Sequence, residues 1–175
     1  MQIRLTGLTY AALGAGALLP GAAAAQTFDV TVAIPRLTVA EYHRPYVAMW
    51  IEKEGGGATT IAVWYDVGKA KGEGTKWLRD VRQWWRASGR SMKFPADGVS
   101  GATRAPGAHR LNFVGGRGGM PVLAPGKYTL VVEAAREVGG REMLRLPFAW
   151  NGSTFANARA TGTAELGLVT LLIKR

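Results

Sequence analysis

The chain has 175 residues, with 22 lysines and arginines against 12 aspartates and glutamates, and it has no cysteine. The lack of thiols excludes disulfides and cysteine-based metal or redox sites. The net charge of +10 indicates an acidic partner or ligand, such as a phosphate group, an anionic lipid or an acidic protein.

The N-terminal segment has the features of a cleavable export signal. Arg4 provides a positive charge, an apolar stretch follows at residues 5–19, and small residues end at Ala25, where signal peptidase would cleave. The stretch is shorter than the roughly 20 residues that a membrane-spanning helix needs. We therefore predict a periplasmic protein with a signal peptide at residues 1–25 and a single domain at residues 26–175. Nucleic acid is not an expected partner in that compartment.

Strand-like patterns recur through the rest of the chain, and Gly or Pro residues separate them. In residues 127–134, for example, Leu130 and Val132 share one face while Glu133 lies on the other. The predicted strands are residues 28–34, 46–53, 59–66, 109–114, 127–134, 142–148 and 163–174. This pattern predicts a mainly β protein, an immunoglobulin-like antiparallel β-sandwich of about seven strands.

Residues 76–86 break the strand pattern, because apolar side chains recur there at helical spacing. Thr75 can cap the start of this predicted helix. We expect one amphipathic helix across an open end of the sandwich, with its tryptophans in the core. A second role can coexist with it, in which tryptophans and arginines flank a bound aromatic phosphate. The residues concerned are Trp77, Leu78, Val81, Trp84 and Trp85 on the apolar side, and Arg79, Arg82 and Arg86 on the other.

Several segments that follow one another along the chain resemble an uncharacterised family of predicted periplasmic proteins, domain of unknown function 2271. These segments are residues 42–52, 76–86, 100–107, 123–130 and 133–137. They extend over most of the mature chain. The resemblance implies the same compartment, but it implies no established activity.

One segment within residues 92–119, which are otherwise predicted to be exposed loop with one short strand, resembles a known modification motif. Asp97-Gly98-Val99-Ser100-Gly101-Ala102-Thr103 is similar to the acceptor sequence of proteins that receive flavin mononucleotide (FMN) covalently. The resemblance implies that a separate flavin transferase joins the FMN phosphate to the Thr103 hydroxyl. It also implies that the transferase recognises Asp97, Ser100, Gly101 and Ala102. A chance Gly-Ala turn is the alternative interpretation.

The residue types around this motif suit the attachment of a flavin. Small side chains within the motif let the active site of another enzyme approach the backbone. The guanidinium group of Arg104 is expected to neutralise the phosphodiester. Trp84 and Trp85, together with Trp77, are candidates to stack on the flavin ring.

These patterns lead to two hypotheses for function. The favoured one is an exported electron-transfer flavoprotein with FMN on Thr103, an electron carrier or redox subunit rather than a stand-alone enzyme. Its expected partners are the flavin transferase and, from the family resemblance, a membrane redox protein of the heme-bearing PepSY-like type. The alternative is a cofactor-free immunoglobulin-like binding module whose basic face docks on a membrane or envelope partner. No metal site is expected, since His43 and His109 are the only histidines and lie far apart in the sequence.

Overall fold

The computed structural model describes residues 25–152 and 155–175. The predicted signal peptide, apart from Ala25, lies outside the described residues. Strands dominate the described part of the chain. They are β1 Thr27–Ile34, β2 Tyr46–Lys53, β3 Ala58–Tyr65, β4 Ser100–Ala102, β5 Gly107–Val114, β6 Gly126–Ala135, β7 Arg141–Trp150, β8 Phe155–Thr161 and β9 Leu168–Lys174.

The strands form two sheets that pack as a sandwich, which confirms the predicted fold class. One sheet has the order β5–β1–β9–β8 and the other has the order β4–β3–β2–β6–β7. Neighbouring strands are antiparallel, except that β4 runs parallel to β3. Two strands, β4 and β8, were not among the predicted strands. The first is only three residues long, and the second alternates alanine with polar side chains, so neither has a strong apolar pattern.

The core between the sheets follows from the two-residue period of the strands. Along β1, the inward side chains Phe28, Val30 and Val32 are buried, and their neighbours are only partly so. They pack in one cluster with inward residues of the other sheet, such as Met49 and Leu130. Each large apolar side chain buried in this way contributes about 1.5–3 kcal/mol to folding.

The five-stranded sheet is also covered on its outer face. A stretch of short helices at residues 70–91, which we name the cover segment, packs there against outward side chains of β2, β3 and β6. This packing explains why those three strands are apolar on both faces. The outward residues beneath it include Tyr46, Ala48, Trp50, Val63, Tyr65, Val131 and Ala135.

The cover segment differs in two respects from the single helix that was predicted at residues 76–86. It consists of a 3-10 helical stretch at Ala70–Asp80 that is kinked at Lys71 and Gly72, where φ is positive, the α-helix α1 at Arg82–Ala87, and a 3-10 turn at Gly89–Ser91. Val81, with ψ of 74°, interrupts the helical path. The segment also lies on the outer face of the five-stranded sheet and not across an open end of the sandwich. Its buried apolar side chains come from each part of this path, with Leu78 in the 3-10 helix, Val81 at the interruption and Trp84 in α1.

A buried carboxylate attaches the cover segment to the sheet. Glu133 of β6 is fully buried, and its Oε2 accepts hydrogen bonds from the backbone N–H groups of Gln83 (2.9 Å) and Trp84 (2.8 Å). These groups belong to the first turn of α1, where N–H groups have no partner within the helix. Arg141 Nε lies 3.7 Å from the other carboxylate oxygen and partly balances its charge. Glu133 therefore caps α1 from the sheet below.

We expect Glu133→Gln to lower the free energy of unfolding by about 1–3 kcal/mol, because a neutral amide is a weaker acceptor for two buried N–H groups. Urea unfolding of the mature chain measures the effect. Glu54→Gln is the matched control, since Glu54 is exposed and its 3.6 Å contact with Lys127 is a surface ion pair. Equal losses in the two variants would contradict the capping role.

Candidate functional site

The acceptor-like motif begins in a tight turn that its own residues stabilise. Ser100 Oγ accepts the backbone N–H of Ala96 (2.9 Å), and the N–H of Ser100 donates to the Ala96 carbonyl oxygen (2.9 Å). Gly98 has φ of +67°, and a Cβ added there would lie 2.5 Å from Gly118 Cα. The turn therefore needs glycine at this position. Asp97 is exposed beside it.

After the turn, the motif forms β4 at the edge of the five-stranded sheet. The strand pairs in parallel with Val63, Trp64 and Tyr65 of β3. Gly101 packs closely on Trp64, because an added Cβ would come within 3.3 Å of Trp64 Cδ1. Among the described strands, β3 is the only neighbour of β4, so β4 is the edge strand of this sheet. The motif is thus a short edge strand instead of a slack loop.

Thr103 follows β4 directly and is half-buried. Its N–H donates to the Tyr65 carbonyl oxygen (3.2 Å), which continues the pairing with β3. Its hydroxyl donates a long hydrogen bond to Asp66 Oδ1 (3.4 Å), and Lys69 Nζ lies 3.5 Å from the other oxygen of that carboxylate. The backbone of Thr103 is therefore fixed, whereas its hydroxyl is held weakly.

Thr103 lies in the wall of a cavity of about 300 Å³ between the cover segment and the sheet. Ligand pockets of proteins begin at about this volume. The wall combines aromatic rings, guanidinium groups and carboxylates. Its residues are Tyr42, His43, Arg44, Tyr46, Asp66, Trp77, Asp80, Thr103, Ala135, Arg136 and Glu137.

Buried contacts hold parts of this wall in place. Arg136 and Glu165 form an ion pair in which Nε lies 3.0 Å from Oε2, and both side chains are almost completely buried. The hydroxyl of Tyr46 donates to the Gly74 carbonyl oxygen (3.1 Å), which ties β2 to the cover segment. Burial raises the pKa of Tyr46 to about 12, so its hydroxyl stays protonated at neutral pH.

The structure does not bring Arg104 to the cavity. Its guanidinium carbon lies 5.4 Å from the centroid of the Trp64 ring, which belongs to the core between the sheets. Such a cation–π contact is typical of arginine. The cavity wall does not include Arg104. Its role at a phosphodiester stays a prediction that no contact in the described residues supports.

Of the three tryptophans considered for ring stacking, only Trp77 lines the cavity. Trp84 is fully buried under the cover segment, and its indole N–H donates to Thr60 Oγ1 (2.9 Å). Trp85 packs edge to face on Trp84, with ring centroids 6.0 Å apart. A stacking residue needs a free ring face, so Trp77 replaces Trp84 and Trp85 in the interpretation of this site.

Three residues of the cavity wall, Arg44, Asp66 and Arg136, were not predicted from the sequence to share a site. They belong to separate regions of the chain, and only strand pairing brings them to the same wall. One signal was available, because Asp66 and Arg136 each follow directly after an apolar strand. Polar residues at such positions often lie at the end of a sheet, where sites form.

The two histidines lie in different surroundings. His43 Nε2 is 2.9 Å from Glu41 Oε1, whereas His109 contacts the Trp64 ring edge to face, with centroids 5.7 Å apart. Within residues 25–152 and 155–175, no group of three or more His, Cys, Asp or Glu side chains is arranged to hold a metal ion. None of the helices in the same described part is long and apolar enough to cross a membrane.

Together, the fold and the site define a β-sandwich protein that presents a hydroxyl group at a sheet edge beside a cavity of ligand size. A family model described as "Predicted periplasmic protein (DUF2271)" matches residues 27–168, so the chain belongs to this family. This match confirms the family resemblance and agrees with a periplasmic location. Neither the curated proteins nor the solved structures that were compared with the chain gave a match.

We expect Gly98→Ala to destabilise the protein by about 1–3 kcal/mol, because the positive φ disfavours a side chain and the new Cβ would overlap Gly118. Gly57→Ala is the control, since a Cβ at Gly57 meets open space. Thermal unfolding of both variants measures the difference. A Gly98→Ala variant as stable as the control would show that the turn of the motif is not formed as described.

Proposed function

We propose that this protein is an exported electron-transfer flavoprotein that carries FMN joined through its phosphate to Thr103. The observation that carries the proposal is the position of this residue. Thr103 ends the acceptor-like motif at the edge of a sheet, and it also lies in the wall of a cavity. A transferase can therefore attach FMN to Thr103 from outside the protein, and the attached group then has the cavity beside it.

The other residues of the motif suit recognition by a flavin transferase. Asp97 and Ala102 are exposed, so another enzyme can contact them. Ser100 braces the turn with its hydroxyl, and Gly101 lets the strand pack directly on Trp64. The transferase would thus meet a preformed extended segment, with β4 as an edge strand for pairing.

The attachment is a substitution at phosphorus. The Thr103 oxygen forms a bond to the phosphorus on the flavin side of flavin adenine dinucleotide, the bond from that phosphorus to the oxygen of AMP breaks, and AMP leaves. The hydroxyl proton passes to a base of the transferase, because a threonine hydroxyl is a weak nucleophile on its own. The transferase also supplies the metal ion that activates the phosphate. Thr103 contributes only the acceptor oxygen.

FMN bound in this way supplies reversible uptake of one or two electrons, and the covalent link keeps it on an exported protein. The role of the chain is to hold the group and present it to partners. We propose a membrane redox protein of the PepSY-like type as the electron-transfer partner. Cleavage of the signal peptide removes Arg4 and no acidic residue, so the net charge falls from +10 to +9, and this charge would speed the encounter with an acidic surface on such a partner.

A second candidate function rests on basic side chains of the cover segment and the residues after it. They are exposed, and none has an ion-pair partner within the described ranges. Unpaired cations on one segment favour an acidic surface. The alternative is therefore a cofactor-free immunoglobulin-like binding module that docks on a membrane or envelope partner. The residues are Arg79, Arg82, Arg86, Arg90 and Lys93.

The test is the intact mass of the protein after coexpression with a flavin transferase. The parent and Thr103→Ser are expected to gain the mass of FMN less water, because both present a hydroxyl at the same position. Thr103→Val, which has nearly the same shape without the hydroxyl, is expected to gain nothing. The colour of the purified proteins gives a second readout.

An unmodified parent, or equal modification of Thr103→Val, would contradict the proposal. The first result would make the motif a chance Gly-Ala turn and favour the binding module. The second would place the flavin on another residue.

A further inference from the structure

Trp77 lies in the cavity wall and stays 41% exposed, whereas Leu78 beside it is almost completely buried. Leu78 and Val81 belong to the apolar cluster on the outer face of the sheet, and Trp77 does not. Packing in this cluster therefore does not account for an indole at position 77. Its ring offers a large apolar surface on the same cavity that Thr103 lines.

The chemistry of the wall fits a flat heterocycle with a polar edge. Trp77 provides an aromatic surface, Arg44 is a hydrogen-bond donor, and Asp80 is an acceptor. The isoalloxazine ring of a flavin is flat and aromatic, and carbonyl oxygens and an N–H group lie along one edge. A cavity of about 300 Å³ is small for a ligand site, which suits a ring system better than a complete nucleotide.

The position of Thr103 agrees with a site that holds the flavin ring but not the whole nucleotide. A phosphate on its hydroxyl would lie at the cavity wall, and the flexible sugar-alcohol chain of FMN connects that phosphate to the ring. Trp84 is fully buried, and neither Trp84 nor Trp85 lines the cavity.

We propose that this cavity is the binding site of the isoalloxazine ring, with Trp77 against one face of the ring. The inference rests on the proposed attachment of FMN to Thr103 and adds the site where the redox-active part of the group lies. The cover segment then has a second role besides shielding the sheet. It forms one wall of the cofactor site and limits contact between the ring and solvent.

Flavin fluorescence tests this site, because an indole or phenol ring in contact with an excited flavin quenches it by electron transfer. The parent, Trp77→Phe, Trp77→Tyr and Trp85→Phe are loaded with FMN by coexpression with a flavin transferase, and equal loading is checked by intact mass. Phenylalanine keeps an aromatic ring but is a poor electron donor. Trp77→Phe is expected to fluoresce several-fold more strongly than the parent. Trp77→Tyr and Trp85→Phe are expected to stay close to the parent.

The outcomes separate this inference from the proposal on which it rests. Equal fluorescence of Trp77→Phe and Trp85→Phe at equal FMN loading would overturn the contact between Trp77 and the ring and leave the covalent attachment standing. A parent without added FMN mass would overturn the attachment and the ring site together. Because Trp77 is partly exposed, its replacement is expected to leave the melting temperature nearly unchanged, which confirms that the variant is folded.

Discussion

The carboxylate of Glu133 accepts two backbone N–H groups of α1 at a point that solvent does not reach. Burying a carboxylate is costly unless hydrogen bonds and a counter-charge compensate, and here the helix start and Arg141 provide them. This contact fixes the cover segment on the five-stranded sheet. The same segment carries Trp77 and Asp80 to the cavity wall, so the candidate site depends on a cap in the middle of the sheet.

The site itself combines a cavity with an acceptor-like segment at the edge of the sheet. The cavity wall is formed mostly by residues that flank the ends of β2, β3 and β6 and by the cover segment, and the buried pair of Arg136 and Glu165 fixes one part of it. The acceptor strand β4 is three residues long and has one neighbouring strand, and the hydroxyl of Thr103 makes only a long hydrogen bond to Asp66. Short edge elements open locally at low cost, whereas central strands do not. Such local opening suits the modification of Thr103 by another enzyme that we propose.

The period-two pattern of the strands was enough to predict the sandwich. A strand that is buried on one face must be apolar at every second position, as Phe28 and Val30 are in β1. The position of the cover segment was not predictable from local pattern, since helical spacing shows which side chains are buried but not against which surface. Thr103 was predicted from the acceptor-like motif, and Trp77 was one of three tryptophans predicted to stack on the flavin ring. The position of Asp66 directly after β3 was the one signal for this residue, and it did not indicate the contact with Thr103, which only tertiary structure creates.

The central claim is that Thr103 is the residue that carries the flavin, and the sequence makes a direct measurement possible. Trypsin cuts after Lys93 and after Arg104, so the whole motif lies in one peptide, residues 94–104, in which Ser100 and Thr103 are the only hydroxyl side chains. Tandem mass spectrometry of this peptide, from protein coexpressed with a flavin transferase, is expected to place the FMN mass on Thr103. An unmodified peptide 94–104, or the FMN mass on Ser100 or in another peptide, would contradict the claim.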